Sequence, residues 1–248
     1  MKQIHLVIIA CLLLMLCGCG KETNNIQQTI DATNSSLIEE KISDDFVYEV
    51  YDTYIKIIEY NGTAQSVTIP ETIEGKPVMV LGEDSFYQKT KMTEIHLPSG
   101  IETIEKGAFY RCYSLTSITI PETVTQIDSD AFFRCSALQN IIVDTDNSTY
   151  CDIDGILFTK DTTELVFYPE GKKETQYLIP NSVTKINDSA FGYKTNLKTI
   201  GIPSSVTELP DYNMFVYPDE IMLLVAPDST AEAYAKKQNI NYITEATL

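Results

Sequence analysis

The sequence predicts a solenoid, in which short coils of one strand and one return path stack on each other. A constant interval supports this fold class: the spacing from Pro98 to Pro121 equals the spacing from Phe109 to Phe132. A period in the twenties is typical of solenoid repeats. Apolar and polar residues also alternate ahead of each proline, which is the pattern of a strand with one buried face. The chain has 248 residues, 44% of them hydrophobic, and we therefore expect one repeat domain with a sizeable core.

The repeat unit reads L-x-x-I-x-I-P-x-x-V-x-x-I-x-x-x-A-F-x-x-C. Its copies begin near Val67, Met92, Leu115, Tyr177 and Leu197. The first copy is degraded and carries an extra segment between Pro70 and Val78. We assign the repeats to residues 63–218. A single coil cannot bury its apolar side alone, so the coils must stack to form a continuous core.

Each copy predicts a strand followed by a return path. Ile118 and Ile120 point to one side of the strand, and the intervening residues point to the other. The proline that follows cannot donate to a strand ladder, so it ends the strand. Stacking then aligns one phenylalanine from each coil behind a small residue. The predicted column contains Phe86, Phe109, Phe132, Phe191 and Phe215, and the small residues are Ser85, Ala108, Ala131 and Ala190.

Both ends of the repeat array are expected to carry caps. Residues 46–62 alternate apolar and polar side chains and break at Asn61-Gly62, which predicts an N-terminal β-hairpin cap within residues 44–62. At the other end, Ser229 and Glu232 have the spacing of a capping box and predict a helix. We assign residues 219–248 to a C-terminal helical cap, because an open solenoid end tends to aggregate.

An insertion interrupts the repeat. The interval from Leu138 to Leu197 is longer than two plain repeats, and the surplus is more than half the length of one repeat. Two apolar runs, residues 156–160 and 164–168, flank Asp161-Thr-Thr and predict a hairpin. We expect this hairpin to protrude from the solenoid as part of an insertion near residues 144–173.

The first 43 residues predict export. The apolar run of residues 6–16 follows a lysine and is too short to span a bilayer comfortably, so residues 1–18 are interpreted as a signal peptide. The stretch LCGC that ends at Cys19 resembles the lipobox of bacterial lipoproteins, and the resemblance implies lipidation of Cys19. Ordinary cleavage without a lipid is the alternative. Residues 19–43 are polar and are expected to form a tether, with room for a short helix at residues 35–43.

The charge balance excludes some partners. The chain carries 18 Lys plus Arg against 35 Asp plus Glu, a net charge of −17, and has no basic run. Nucleic acid is therefore not an expected partner, because binding to phosphates needs a basic surface. Docking on anionic lipid is disfavoured for the same reason, so we expect membrane contact only through the lipid anchor.

The I-x-I-P, V-x-x-I and A-F-x-x-C elements resemble the leucine-rich repeats of the BspA-like family. The resemblance covers residues 46–248. It implies a leucine-rich-repeat solenoid with a curved parallel sheet and a cell-surface or secreted location. It also implies binding to other proteins or surfaces, without catalysis. We expect no cofactor.

Little in the sequence indicates catalysis or metal binding. His96 is the one histidine after the predicted processing, and it is expected to face solvent. No nucleophile elbow, phosphate loop or paired-histidine metal motif occurs. Four acidic residues, Asp144, Asp146, Asp152 and Asp154, offer oxygen ligands for calcium, but their spacing fails the EF-hand pattern and favours a polar turn. No metal site is therefore assigned.

Cys112 and Cys135 occupy the same position in neighbouring repeats. Neighbouring strands lie about 4.8 Å apart, a distance that permits a disulfide between bridged Cα atoms roughly 4.4–6.8 Å apart. Two buried thiols packed as small apolar side chains are the simpler interpretation. The sequence is compatible with both.

The solvent side of the strands is the expected binding surface, since solenoids commonly bind partners on extended faces. The candidate residues are Ser66, Thr68, Glu94, His96, Ser117, Thr119, Asn140, Ile142, Gln176, Leu178, Thr199 and Gly201. Ile142 and Leu178 are apolar where the period predicts polar residues, and we expect them to contact either a ligand or the inserted hairpin. The expected function is adhesin-like binding of a host or neighbouring-cell protein. A structural role in the bacterial envelope is the alternative.

Overall fold

Short strands dominate the computed structural model, which describes residues 36–193 and 195–246. In chain order the strands are β1 (Leu37–Ser43), β2 (Phe46–Tyr51), β3 (Ile55–Tyr60), β4 (Ser66–Thr68), β5 (Thr72–Ile73), β6 (Lys76–Leu81), β7 (Glu94–His96), β8 (Thr103–Ile104), β9 (Ser117–Ile120), β10 (Gln126–Ile127), β11 (Asn140–Val143), β12 (Tyr150–Ile153), β13 (Ile156–Thr159), β14 (Glu164–Phe167), β15 (Gln176–Leu178), β16 (Lys185–Ile186), β17 (Thr199–Ile202), β18 (Met222–Val225) and β19 (Asn241–Thr244). A 3-10 turn, Pro218–Glu220, and one helix, α1 (Thr230–Gln238), complete the described elements. No helix in this part of the chain has the length and apolar character needed to cross a bilayer.

The front strands, defined here as β4, β7, β9, β11, β15, β17, β18 and β19, are the strands that precede the return paths together with β18 and β19, which continue the register of β17. They pair in parallel in three groups: β4 with β7, β9 with β11, and β15 with β17, β18 and β19. The register places equivalent residues of successive repeats opposite each other, as Ile118 opposite Ile141 and Ile200 opposite Leu223. This arrangement confirms the predicted solenoid of short parallel strands.

The return paths form a second set of parallel pairs. β3, β6, β8 and β10 run side by side, and β14 pairs with β16. Buried phenylalanines stack behind them: the ring centroids of Phe86 and Phe109 are 5.4 Å apart, and those of Phe109 and Phe132 are 5.7 Å apart. After the insertion, Phe191 and Phe215 stack at 5.3 Å. Each coil thus contributes its phenylalanine to the core, as the spacing predicts.

The insertion is not the protruding hairpin that the sequence suggested. β12, β13 and β14 form an antiparallel meander, and β14 joins the return strands by pairing with β16. Leu157 and Phe167 pack into the core on the N-terminal side, whereas Phe158 and Tyr168 pack into the core on the C-terminal side. The meander therefore lies inside the stack as a wall with two apolar faces.

The phenylalanine column consequently passes through the meander. Phe132 contacts Phe167, with ring centroids 5.8 Å apart, and Tyr168 contacts Phe191 at 5.9 Å. The expected direct neighbours Phe132 and Phe191 are thus separated by two rings of the insertion. The interior is two buried clusters that share the meander, rather than one unbroken core.

The N-terminal end begins earlier than predicted. β2 and β3 pair antiparallel as a hairpin inside residues 44–62, with its turn at residues 52–54. β1 adds a third strand to β2. The short helix suggested at residues 35–43 is therefore wrong, because Leu37–Ser43 is hydrogen-bonded as a strand edge. The predicted signal peptide, Cys19 and most of the predicted tether lie outside the described residues.

The C-terminal end combines strands with the predicted helix. The Ser229 hydroxyl accepts a hydrogen bond from the Glu232 amide at 3.2 Å, which caps α1. Tyr234 and Ala235 of α1 are buried, as expected for its core-facing side. However, β18 and β19 flank the helix and extend the front strands to residue 244. The region assigned to a helical cap therefore also enlarges the strand surface.

Candidate functional site

The predicted binding residues lie in two parallel rows on the front strands. Ser66 is opposite Glu94, and Thr68 is opposite His96. The remaining pairs are Ser117 with Asn140, Thr119 with Ile142, Gln176 with Thr199, and Leu178 with Gly201. We call the row that runs from Thr68 to Gly201 the second row. Eleven of the twelve residues are exposed or partly exposed, whereas Gly201 is buried and has no side chain to offer.

The N-terminal part of these rows is polar and internally hydrogen-bonded. Ser66 Oγ donates to Glu94 Oε2 at 2.9 Å, and His96 Nε2 lies 3.3 Å from Glu94 Oε1. All three side chains are exposed to solvent. The Ser66 hydroxyl donates to Glu94 and not to His96, so these three residues lack the serine–histidine hydrogen bond that activates a serine nucleophile.

The C-terminal part of the second row is apolar. The exposed fractions of Ile142, Leu178 and Ile243 are 49%, 61% and 53%. Ile243 is opposite Leu224, which in turn is opposite Gly201, so the row continues across β18 and β19. The absence of a side chain at Gly201 leaves a gap between Leu178 and Leu224. We call these residues, Ile142, Leu178, Leu224 and Ile243, the apolar row.

The meander borders the apolar row at β11. Ile141 N donates to Gly155 O at 2.9 Å, and Val143 N donates to Asp152 Oδ1 at 2.8 Å. Ile153, in the same segment, is 37% exposed. The insertion therefore adds an exposed isoleucine beside the strand of Ile142 and leaves half of the Ile142 surface open to solvent.

Sequence reasoning missed Leu224 and Ile243. Both were included in a helical cap, although residues 222–225 form a short apolar run and residues 241–244 are rich in residues that favour strands. Two short apolar segments on either side of a helix were the available signal, and the capping box of α1 obscured it.

The family follows from the repeat profile. The profile of the BspA type leucine rich repeat region matches six copies, over residues 57–163 and 163–229. This protein is a member of the BspA-type leucine-rich repeat family. The family is associated with protein–protein interaction and is typically found at the cell surface. No curated protein matches the chain.

Solved bacterial structures resemble this BspA-type protein at low identity. A leucine-rich repeat protein from Eubacterium ventriosum is 19% identical, covering 84% of this chain and 68% of its own, with a TM-score of 0.45. The T. pallidum leucine rich repeat protein is 21% identical, covering 84% and 99%, with a TM-score of 0.49. A leucine rich cell surface protein from Faecalibacterium prausnitzii is 18% identical, covering 86% and 96%, with a TM-score of 0.40.

The repeated cysteines of this BspA-type chain are buried thiols. Cys112 and Cys135 are both free and fully buried. Each Sγ donates to the carbonyl of the phenylalanine in the preceding coil, Cys112 to Phe86 and Cys135 to Phe109, both at 3.1 Å. Burial raises the pKa of Cys112 to about 12, so the unreactive thiol persists at neutral pH. The packed-thiol interpretation is the one the structure supports.

The acidic segment of the BspA-type domain is a set of turns. Asp152 Oδ1 accepts a hydrogen bond from the Val143 amide, and Asp144 Oδ1 accepts one from the Asp146 amide at 2.9 Å. The carboxylates of Glu122, Asp144 and Asp146 lie within 4.8 Å of one another on the surface. Asp152 and Asp154 are not part of that group, so the four aspartates do not form one ligand set. These contacts agree with the polar turn that the sequence favours.

Proposed function

We propose that the protein binds another protein at the bacterial cell surface through the apolar row. The observation that carries the proposal is that exposed aliphatic side chains replace polar ones at equivalent positions of the later front strands, at Ile142 in β11 and at Leu178 and Ile243 in the group from β15 to β19. A group of exposed aliphatic side chains on a protein surface is typical of an interaction site. The expected partner is a protein of a host or a neighbouring cell.

The geometry suits non-covalent recognition. The side chains of Leu178 and Ile142 have large exposed surfaces, and burying one such side chain contributes about 1.5–3 kcal/mol. The polar group around Glu94 lies in the same rows and supplies hydrogen-bonding partners for the rim of an interface. The proposal includes no catalytic step.

The experiment compares the chain from residue 36 onward with its Ile142→Ser/Leu178→Ser variant. Immobilised protein is exposed to extracellular-matrix proteins and, separately, to the organism's own envelope extract. We expect wild type to retain a matrix protein and the variant to bind it about 100-fold more weakly, since each central apolar contact is often worth about 1–2 kcal/mol. The matched control Thr68→Ser/Thr119→Ser changes two exposed residues of the polar part and is expected to bind like wild type.

The outcomes separate the functions. Retention of a partner only from envelope extract would replace the adhesin-like role with an envelope scaffold role. Unchanged binding by the Ile142→Ser/Leu178→Ser variant would exclude the apolar row as the binding surface. A drop in its thermal stability would assign the two side chains to folding instead.

We also propose that the protein is exported and anchored through a lipid on Cys19. The support is the LCGC sequence directly after the apolar run of residues 6–16. Labelled fatty acid is expected on wild type and on the matched control Cys17→Ala, and is expected to vanish in Cys19→Ala. Label that persists in Cys19→Ala, measured after gel separation of membrane fractions, would contradict the anchor.

A further inference from the structure

We propose that a cleft beside Arg134 binds a carboxylated saccharide. The cleft has a volume of about 420 Å³ and lies away from the front strands, between the coil of Arg134 and the coil of Tyr193. The lining residues that matter for recognition are Tyr113, Arg134, Ser136, Lys173, Thr195 and Asn196. The volume falls in the usual range of small-ligand sites, about 300–1,000 Å³.

The insertion creates this cleft. In the regular repeat, the Arg111 amide donates to the Phe133 carbonyl of the next coil at 3.1 Å. The equivalent Arg134 amide has no such carbonyl, because the meander displaces the next coil. It donates instead to Glu170 Oε1 at 2.7 Å, and the Tyr193 amide donates to the same oxygen at 2.8 Å. A buried side chain thus spans the distance that backbone would otherwise fill, and the surface above it is recessed.

Arg134 supplies the site with a cation. Arg111 and Arg134 are the two arginines of the chain, and they occupy equivalent repeat positions with φ of 62° and 63°. Arg111 donates to Tyr87 Oη at 3.2 Å. The Arg134 guanidinium lies 3.8 Å from the Tyr193 ring centroid. The Nε atoms of both arginines are buried without a hydrogen-bond partner among the described residues, so the two differ in their terminal Nη groups. Stacking fixes the plane of the group, and the terminal Nη groups, which make no hydrogen bond among the described residues, are the donors that a ligand can reach.

The charge of the site favours a carboxylate. Arg134 and the exposed Lys173 both line the cleft, in a chain whose net charge is −17. A guanidinium pairs with a carboxylate through two parallel hydrogen bonds. Glu170 is the acidic residue of the lining, but it is buried and accepts the two backbone amides described above. Its charge is therefore partly compensated by the protein itself.

The remaining side chains suit a sugar ring. Tyr113 is 40% exposed and stacks with no other aromatic ring of the described residues, so its face is open for apolar contact. Asn196 Nδ2 donates to Lys172 O at 2.6 Å, which fixes the amide and presents Oδ1 as an acceptor. Ser136 and Thr195 add hydroxyl groups. An aromatic face, fixed polar groups and a cation together match a saccharide that bears a carboxylate.

The test is calorimetric titration of the purified full-length chain with N-acetylneuraminic acid and with glucuronic acid. Glucose, N-acetylglucosamine and inorganic phosphate are titrated in parallel. We expect binding of at least one carboxylated sugar and at least tenfold weaker binding of the neutral sugars and of phosphate. Arg134→Gln is expected to reduce that affinity at least tenfold. Arg111→Gln, at the equivalent position outside the cleft, is expected to leave it unchanged.

Two further variants distinguish a loss of binding from a loss of folding. Tyr113→Ala and Lys173→Gln change exposed side chains of the cleft, and each is expected to reduce the affinity several-fold without lowering the melting temperature. Equal binding of neutral and carboxylated sugars would overturn the proposal, as would equal losses in Arg111→Gln and Arg134→Gln. Preferential binding of phosphate, or no binding of either carboxylated sugar at millimolar concentration, would overturn it as well.

Discussion

Replacing Phe109 with alanine is expected to lower the free energy of unfolding by about 3–5 kcal/mol. Phe109 is fully buried and lies between Phe86 and Phe132, with ring centroids 5.4 and 5.7 Å away. Its removal leaves a cavity that both neighbouring coils border, and neither coil can close it without losing its own stacking. Because typical domains unfold with about 5–15 kcal/mol, the change removes a large share of the total stability.

The measurement is equilibrium unfolding in urea, followed by circular dichroism. The matched control is Tyr113→Ala, which removes an exposed ring from the same coil and is expected to cost less than about 1 kcal/mol. Phe109→Leu, which keeps most of the volume, is expected to fall between the two. Equal losses in Phe109→Ala and Tyr113→Ala would mean that the column does not hold the coils together.

The repeated part of the fold was predictable because its information is periodic. The constant interval that separates Pro98 from Pro121 fixes which residues of neighbouring coils meet, and alternation fixes which side of Ile118 is buried. The strand pairing and the phenylalanine stacking on either side of the insertion follow from these two rules. Both rules use only residues of one coil and of its direct neighbour.

The insertion was predictable as strands but not in its position. Its apolar runs have buried side chains on both faces, such as Leu157 towards one core and Phe158 towards the other. A surplus of chain length does not reveal whether the extra segment lies outside the stack or between two coils. That depends on the pairing of β14 with β16, and the two-sided apolar pattern was the signal against a protruding hairpin.

The two candidate sites also differed in how far the sequence could predict them. Ile142 and Leu178 were found because they break a periodic rule, whereas Leu224 and Ile243 lie beyond the last repeat copy. The cleft at Arg134 depends on Glu170, which replaces a carbonyl of a displaced coil and is distant from Arg134 in the sequence. No local pattern encodes such a replacement, although the two arginines at equivalent positions were visible in the sequence.

Replacing Asn147 with alanine is expected to lower the free energy of unfolding by about 3 kcal/mol, since each buried polar group left unpaired costs about 1–3 kcal/mol. Asn147 is fully buried where the regular repeat gives way to the meander. Its Nδ2 donates to Pro121 O at 2.8 Å and to Val124 O at 3.0 Å. Its Oδ1 accepts from the amides of Thr149 and Tyr150 at 2.9 and 2.7 Å.

The Asn147 side chain donates to carbonyls of the preceding coil, as the Thr123 hydroxyl donates to Ser99 O and Ile101 O in the regular repeat, so its effect should depend on hydrogen bonding rather than on volume. Asn147→Leu, which keeps the number and branching of the side-chain heavy atoms, is therefore expected to be about as destabilising as Asn147→Ala in urea unfolding. The exposed Asn241, in β19, gives the matched control, and Asn241→Ala is expected to stay within about 0.5 kcal/mol of wild type. If Asn147→Leu were as stable as wild type, packing of the side chain alone would explain how the meander fits against the preceding coil. The hydrogen bonds of Asn147 would then not be needed.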